Sequence, residues 1–168
     1  NQSRRQRQMC IRDRYVTYQK GVGEFNRGNF KSSIKYFDLS KKYNLDSETY
    51  IKSSLNKSEA LFIGNLYKEA VNELLGVINL NMNVELREKI FLQLGYSYFN
   101  LNEYLNASKY LKNYLDSKDN KFSSKDIDPI LRLADSYYAS KNFNSSIKYY
   151  NTALPVSYTH LRAHETET

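Results

Sequence analysis

The only thiol in the chain is Cys10, and its only imidazoles are His160 and His164. The His-x3-His spacing is that of half a zinc site. A cysteine can serve as a soft metal ligand or as a nucleophile. Arg4, Arg5, Arg7, Arg12 and Arg14 make a basic arm of the kind that contacts phosphates. With a net charge of +7 over 168 residues, that arm invites a nucleic-acid reading. Gly21-Val22-Gly23 has the opening of a phosphate-cradling loop, and Asp126 with Asp128, or Glu85 with Glu88, are paired acids of the kind that hold a cation.

Each of these signals meets an objection. No strand precedes Gly21, and the next glycine is Gly28, so Gly21 reads as a packing glycine inside a helix. The acid pairs sit at expected helix starts, where the macrodipole favours negative charge. The histidines, the cysteine and the arginine arm all lie in two terminal segments that resemble translated sequencing-adaptor DNA. Residues 4–14 match one frame of a tagmentation adaptor, and residues 156–166 match its partner read from the opposite strand. Met9 to Arg14 can be encoded by ATG TGT ATA AGA GAC AGN. The reverse complement contains GTC TCT TAT ACA CAT, which reads Val-Ser-Tyr-Thr-His, the residues at 156–160. Segments of that origin are set aside before fold and function are read. Residues 1–14 and 155–168 are therefore expected to be adaptor-derived and disordered, and the natural N-terminus to be missing.

The remaining stretch, 15–154, has no His and no Cys, and its net charge falls to +4. Lysines alternate with acids, as in Lys68-Glu69 and Glu88-Lys89, which is the pattern of solvated helices and not of a nucleic-acid stripe. Nucleophilic or general-base chemistry needs His, Cys or a strained Ser turn, and none is present. No catalytic residue, metal site or cofactor is expected, and the chain reads as a non-enzyme. No apolar run reaches membrane-spanning length, so no direct membrane insertion is expected. Six Gly and two Pro exclude a turn-rich β-sandwich, and a single Cys excludes a disulfide framework. Abundant Asn, Lys, Tyr and Ile, with A/T-rich codons, point to a low-G+C bacterial source.

Four segments align without gaps: Gly21 to Phe37, Ser58 to Leu74, Gly95 to Leu111 and Ala134 to Tyr150, at steps of 37, 37 and 39 residues. Each opens on a small residue (Gly21, Ser58, Gly95, Ala134). Nine positions on comes an aromatic (Phe30, Tyr67, Tyr104, Phe143), three later a second small residue (Ser33, Ala70, Ala107, Ser146), and four later a large one (Phe37, Leu74, Leu111, Tyr150). That spacing describes a helix hairpin. Helix A ends just before the aromatic, helix B begins at it, and the small residues let the two backbones approach. Helices are expected over about 16–27 and 30–43, 48–64 and 67–80, 84–101 and 104–116, and 126–140 and 143–154. Gly28-Asn29 and Gly64-Asn65 mark turns. Asp46 or Ser47 is expected to cap the third helix, and Ser123 or Ser124 the seventh. The polar stretch 117–125 is the one loop long enough to be mobile. One hairpin cannot bury its face alone, so the units must stack.

The pattern resembles the tetratricopeptide repeat. The third unit carries it best, with Phe91, Leu94-Gly95, Tyr98, Tyr104, Ala107 and Leu111; the fourth has Leu133-Ala134, Tyr137, Phe143, Ile147, Tyr150 and Ala153. The first two units depart from it: Lys20 and Lys57 replace an apolar residue, and Glu24 replaces a Tyr. The resemblance implies an all-α fold, an α-solenoid of about four antiparallel helix-turn-helix hairpins, with units at about 15–47, 48–82, 83–120 and 124–154. It also implies that helix A lines a concave, protein-binding surface. The groove candidates on that helix are Gln19, Val22, Phe25 and Asn26; Asn56, Glu59 and Phe62; Gln93, Tyr96, Phe99 and Asn100; and Arg132, Asp135 and Tyr138. Aromatics offer contact area at low entropic cost, and amides offer adaptable hydrogen bonds. Family members that clamp a C-terminal carboxylate use Lys and Asn where this chain has residues such as Leu55, Leu92, Glu59 and Tyr96, which disfavours that mode.

The function expected is a non-catalytic scaffold for a protein or peptide segment, without nucleic acid. The alternative is a regulatory or docking array of a larger enzyme or of a cell-envelope assembly lipoprotein. Cytoplasm and periplasm or cell envelope both remain open as locations. The last helix carries Ile147, Tyr150, Ala153 and Leu154 with no capping helix after them, so an exposed apolar face and self-association through it are expected.

Overall fold

A computed structural model describes the backbone of residues 2–42 and 48–166, and the side chains of 12–42 and 48–156. Among the described residues there are eight α-helices and no strand. They are α1 (Gln2–Asn26), α2 (Phe30–Ser40), α3 (Glu48–Ile63), α4 (Tyr67–Leu75), α5 (Val84–Asn100), α6 (Tyr104–Asp116), α7 (Ile127–Ala139) and α8 (Phe143–Thr166). A single 3-10 turn, Ser124–Asp126, leads into α7. The fold is all-α, four antiparallel hairpins in sequence, as the repeat predicts. Two compact units divide it, 1–90 and 91–168, each containing two hairpins.

Every hairpin turns in the same way. Gly28, Asn65, Asn102 and Lys141 occupy one repeat position, and all four have left-handed backbone, with φ of 79°, 60°, 59° and 60°. The amide of each bonds back three residues to Phe25, Phe62, Phe99 or Tyr138, and the next amide bonds back five, to Glu24, Leu61, Tyr98 or Tyr137, at 2.8–3.0 Å. This is a Schellman closure, which satisfies the last carbonyls of helix A. Glycine and asparagine suit left-handed backbone; Lys141 bears the side-chain clash at a cost of about 1–2 kcal/mol. Gly64, expected in the second turn, is not the left-handed residue; Asn65 is.

Close approach follows from that turn. A Cβ on Gly21 would lie 2.6 Å from Cε1 of buried Phe37, and one on Gly95 would lie 2.6 Å from Cγ of buried Leu111. In the second hairpin Ser58 fills the same position, and its hydroxyl donates to the Ala70 carbonyl at 3.1 Å.

The first unit also holds a half-buried ion network. Glu73 on α4 accepts from Lys41 and, at 2.9 Å, from Lys57 on α3; Lys57 also reaches Asp38 on α2 at 2.6 Å. Lys57 therefore replaces an apolar residue by joining three helices. Beside it, the hydroxyls of Ser40 and Ser53 meet at 2.6 Å. In the second unit Leu111, Leu115, Ile130 and Leu133 form a dry core, with Tyr114, Phe91 and Phe122 against it.

Several boundaries differ from expectation. Helix α4 stops at Leu75, because Gly76 follows it and the amides of Val77 and Leu80 turn to bonds three residues back. The loop expected to be mobile is tied down. Phe122 packs on the core, and the amide and hydroxyl of Ser123 both donate to Asp126 at 2.8 Å. Ser123 thus caps the 3-10 turn, and Asp126, not Ser123 or Ser124 as expected, is the residue that precedes α7; Asp46 and Ser47 lie outside the described residues. The backbone is helical through 2–14 and 155–166, where disorder is expected. These segments hold helix formers such as Arg, Gln, Met, Leu and Ala, and extending an existing helix avoids the cost of nucleation.

Gly23 on α1 has nothing within 4 Å of an added Cβ, unlike Gly21. Gly23→Ala should raise stability by up to about 1 kcal/mol through helix propensity. Gly21→Ala should lower it, since overpacking against Phe37 costs about 1–3 kcal/mol. Denaturant unfolding of the two variants checks the opposite signs.

Candidate functional site

The helix-A positions are described within each unit separately. In the first unit, Gln19 and Asn26 on α1 are exposed and Val22 is half-buried. Asn56 on α3 is committed: its amide donates to the Tyr18 hydroxyl at 3.1 Å. Glu59 is exposed at its edge, yet loss of water around the carboxyl pushes its pKa up.

The helix-A aromatics prove to be parts of the turn. Phe25, Phe62, Phe99 and Tyr138 each pack edge-on against the first aromatic of helix B (Phe30, Tyr67, Tyr104 and Phe143), with centroids 5.1–5.6 Å apart. Where that partner is a tyrosine, its hydroxyl also donates to the side-chain oxygen of the left-handed asparagine: Tyr67 to Asn65 at 2.6 Å and Tyr104 to Asn102 at 2.8 Å. The aromatics keep one side for a ligand at most, and only Tyr138 is largely exposed.

The second unit gathers more. The Tyr96 hydroxyl on α5 donates to Asp128 on α7 at 2.6 Å. Burial, and then the carboxylate acceptor, push the Tyr96 pKa far up, so the hydroxyl stays a donor at ordinary pH. Arg132 lies one helical turn after Asp128, with Nε 3.7 Å from its carboxylate and the guanidinium 4.9 Å from the centroid of Phe99. Asn100 donates to the Tyr96 carbonyl at 2.8 Å. Tyr96, Phe99, Asn100 and Arg132 are thus brought together, with Asp128 as the member that sequence reasoning assigned only to a helix start. The Asp128–Arg132 spacing of four was the available signal. Asp135 is drawn away, accepting from Tyr150 of its own hairpin at 2.6 Å. Gln93 is half-buried, its amide nitrogen enclosed without a hydrogen-bond partner. Among the described residues, no group of three or more His, Cys, Asp or Glu could hold a metal ion. Among the described residues no helix is long and apolar enough to cross a membrane.

Residues 88–121, which include most of α5 and all of α6 but not Asp128 and Arg132 on α7, match the family model of the tetratricopeptide repeat. This stretch is a tetratricopeptide repeat. Solved structures extend the likeness in fold across the chain. MamA 41-end from Desulfovibrio magneticus RS-1 aligns at a TM-score of 0.70 and 15% identity, covering 87% of this chain and 76% of that one. BtubC (BKLC) from P. vanneervenii aligns at 0.75 and 10%, covering 88% and 64%. A putative kinesin light chain with nearly identical TPR-like repeats, from Podosopora anserina, aligns at 0.68 and 12%, covering 89% and 76%. No curated protein sequence matches the chain. The tetratricopeptide likeness accounts for the small and large positions that meet across each hairpin. The polar positions differ from unit to unit.

The ion network of the first unit carries a pH dependence. Burial works to raise the Glu73 carboxyl, but Lys41 and Lys57 outweigh it and hold its pKa below the usual range. A carboxyl with a folded pKa below its unfolded value adds stability above that unfolded value, and the stability is lost as pH falls through the folded one. Glu73→Gln leaves two half-buried lysines facing a neutral amide and should cost about 3 kcal/mol at neutral pH. The penalty should shrink as pH drops below the ordinary carboxylate pKa. Denaturant melts at neutral and acid pH check it; an equal penalty at both refutes the assignment.

Proposed function

We propose that the chain is a non-catalytic scaffold that holds a protein or peptide segment on its helix-A positions. The observation that supports this most is the cluster on α5 and α7. There Arg132 lies on Phe99, tethered by Asp128, which is in turn fixed by the Tyr96 hydroxyl. A guanidinium held over a ring needs little further ordering to engage a passing backbone carbonyl or acidic side chain, and such preorganisation lowers the cost of binding. Asn100 and Tyr138 are exposed on the same two helices and offer an amide and a ring of the kind that adapts to peptides. In the first unit, Gln19, Asn26 and Glu59 are the exposed polar members and Ile63 the exposed apolar one. A segment in extended or helical form fits such a surface.

Phe62 and Phe99 are poor probes, because each closes a turn. Tyr138 also packs on a turn aromatic, but it is 62% exposed, so Arg132 and Tyr138 are the less disruptive probes. A displayed library of random peptides, panned on the chain, should yield binders whose affinity falls about tenfold, or about 1.4 kcal/mol, on Arg132→Ala or Tyr138→Ala. Helical circular dichroism should be unchanged. Binders indifferent to both substitutions, or a library that yields none, would refute the reading.

A further inference from the structure

Two tyrosine pairs in the second unit take no part in the helix-A site. Tyr98 on α5 stacks on Tyr110 of α6, with centroids 5.6 Å apart and planes 3° apart. Tyr137 on α7 stacks on Tyr149 of α8 at 5.7 Å and 16°. Both pairs fall at the same repeat positions. There the first two hairpins hold Glu24 with Tyr36 and Leu61 with Glu73, so the stacked pair belongs to the second unit alone. A lysine accompanies each pair. Lys109 Nζ lies 5.3 Å from the Tyr110 centroid, and Lys148 Nζ 5.7 Å from that of Tyr149. Both lysines are exposed. Lys112 lies one helical turn after Lys109. Its pKa is raised first by the hydrogen bond to Asp116 at 2.5 Å, and further by Tyr149 and Tyr137 nearby. The two pairs therefore share one surface of the unit.

Packing alone does not call for hydroxyls at these positions, since phenylalanine brings the same ring. In this unit Tyr96, Tyr104, Tyr114 and Tyr150 each donate to an acceptor in the protein at 2.6–2.8 Å. Tyr98, Tyr110, Tyr137 and Tyr149 have no hydrogen-bond partner among the described residues, and their oxygens are open to solvent. Burial pushes the Tyr98 and Tyr149 hydroxyls up, so they remain donors at neutral pH. Four hydroxyl donors beside two ammonium groups match carboxylates. Between the pairs, Asp116 holds Lys112, and its charge opposes a continuous run of phosphates. A polypeptide meets this pattern, because it can set a carboxylate at each pair and a neutral residue between them.

We propose that the Tyr–Lys surface of the second unit is a docking site for an acidic polypeptide segment, with one carboxylate seated at each stacked pair. The proposal does not rest on the helix-A reading, since Arg132 and Tyr138 take no part in it.

The probe is a fluorescein-labelled peptide of alternating Glu and Ser, with a Gln–Ser peptide as control, read by anisotropy against the full chain. The acidic peptide should bind and the neutral one should not. Tyr98→Phe with Tyr149→Phe keeps the rings and the net charge, and should weaken binding about tenfold. Lys109→Gln with Lys148→Gln should do the same, and helical circular dichroism should be retained because both side chains are exposed. Lys31→Gln with Lys35→Gln makes the same change of charge on α2 and should leave binding unaltered. Arg132→Ala should also leave it unaltered, so the two sites are read separately. An acidic peptide that does not bind overturns the proposal. Equal losses from the two lysine pairs, or full binding by the Tyr→Phe protein, also overturn it, since general charge attraction would then account for the capture. Tighter binding of oligo-dT or of phosphatidylserine vesicles, sensitive to the same tyrosines, gives the surface a different occupant and overturns it as well.

Discussion

A single left-handed residue closes each hairpin, and the rest of the packing depends on where it falls. At about 100° of rotation per residue, a turn one residue longer or shorter would swing helix B off its partner. With the left-handed residue at the same repeat position four times, helix B always starts in one register. The small residue on helix A then meets the large residue on helix B, as Gly21 meets Phe37 and Gly95 meets Leu111. The same closure brings the aromatic pairs edge to face across every turn. Lys141 holds this backbone without the help of Gly or Asn, which shows how strongly the surrounding hairpin imposes it.

On this shared frame, equivalent positions are filled by different physics. In the second unit, Tyr98 stacks on Tyr110, and Tyr137 stacks on Tyr149, at 5.6 and 5.7 Å. The second hairpin has Leu61 and Glu73 at those positions, and Glu73 faces two lysines instead of a ring. Asp126 likewise is buried yet kept ionised. Burial works against it, but the Ser123 amide, the Tyr114 hydroxyl and the Ser123 hydroxyl hold its pKa down. Glu73 is met by two lysines and Asp126 by neutral donors, so apolar, ionic and hydrogen-bonded solutions coexist on one repeat frame.

The candidate site was partly legible. Tyr96, Phe99, Asn100 and Arg132 follow from the repeat register, because helix-A positions can be counted from the small residue. Their meeting through Asp128 could not be counted, since Asp128 lies 32 residues from Tyr96 in the chain. Two groove candidates turned out to be committed elsewhere, Asn56 to Tyr18 and Asp135 to Tyr150. The aromatic series was visible as a series, but its role in closing the turns was not.

By itself the sequence determines the number of hairpins, the helix and turn positions to within a few residues, and the small-to-large pairing across each turn. All of these rest on interactions within a helix or between helices joined by a short turn, so local spacing specifies them. Tertiary structure alone decides which polar groups are paired and which faces stay open. Lys57 finds Glu73, Ser40 finds Ser53, and Tyr96 finds Asp128 only after helices from different parts of the chain have packed. The solvent-facing hydroxyls of Tyr98 and Tyr149 are decided in the same way, by whether another helix brings an acceptor to them. Residue type and local spacing carry no record of that neighbour.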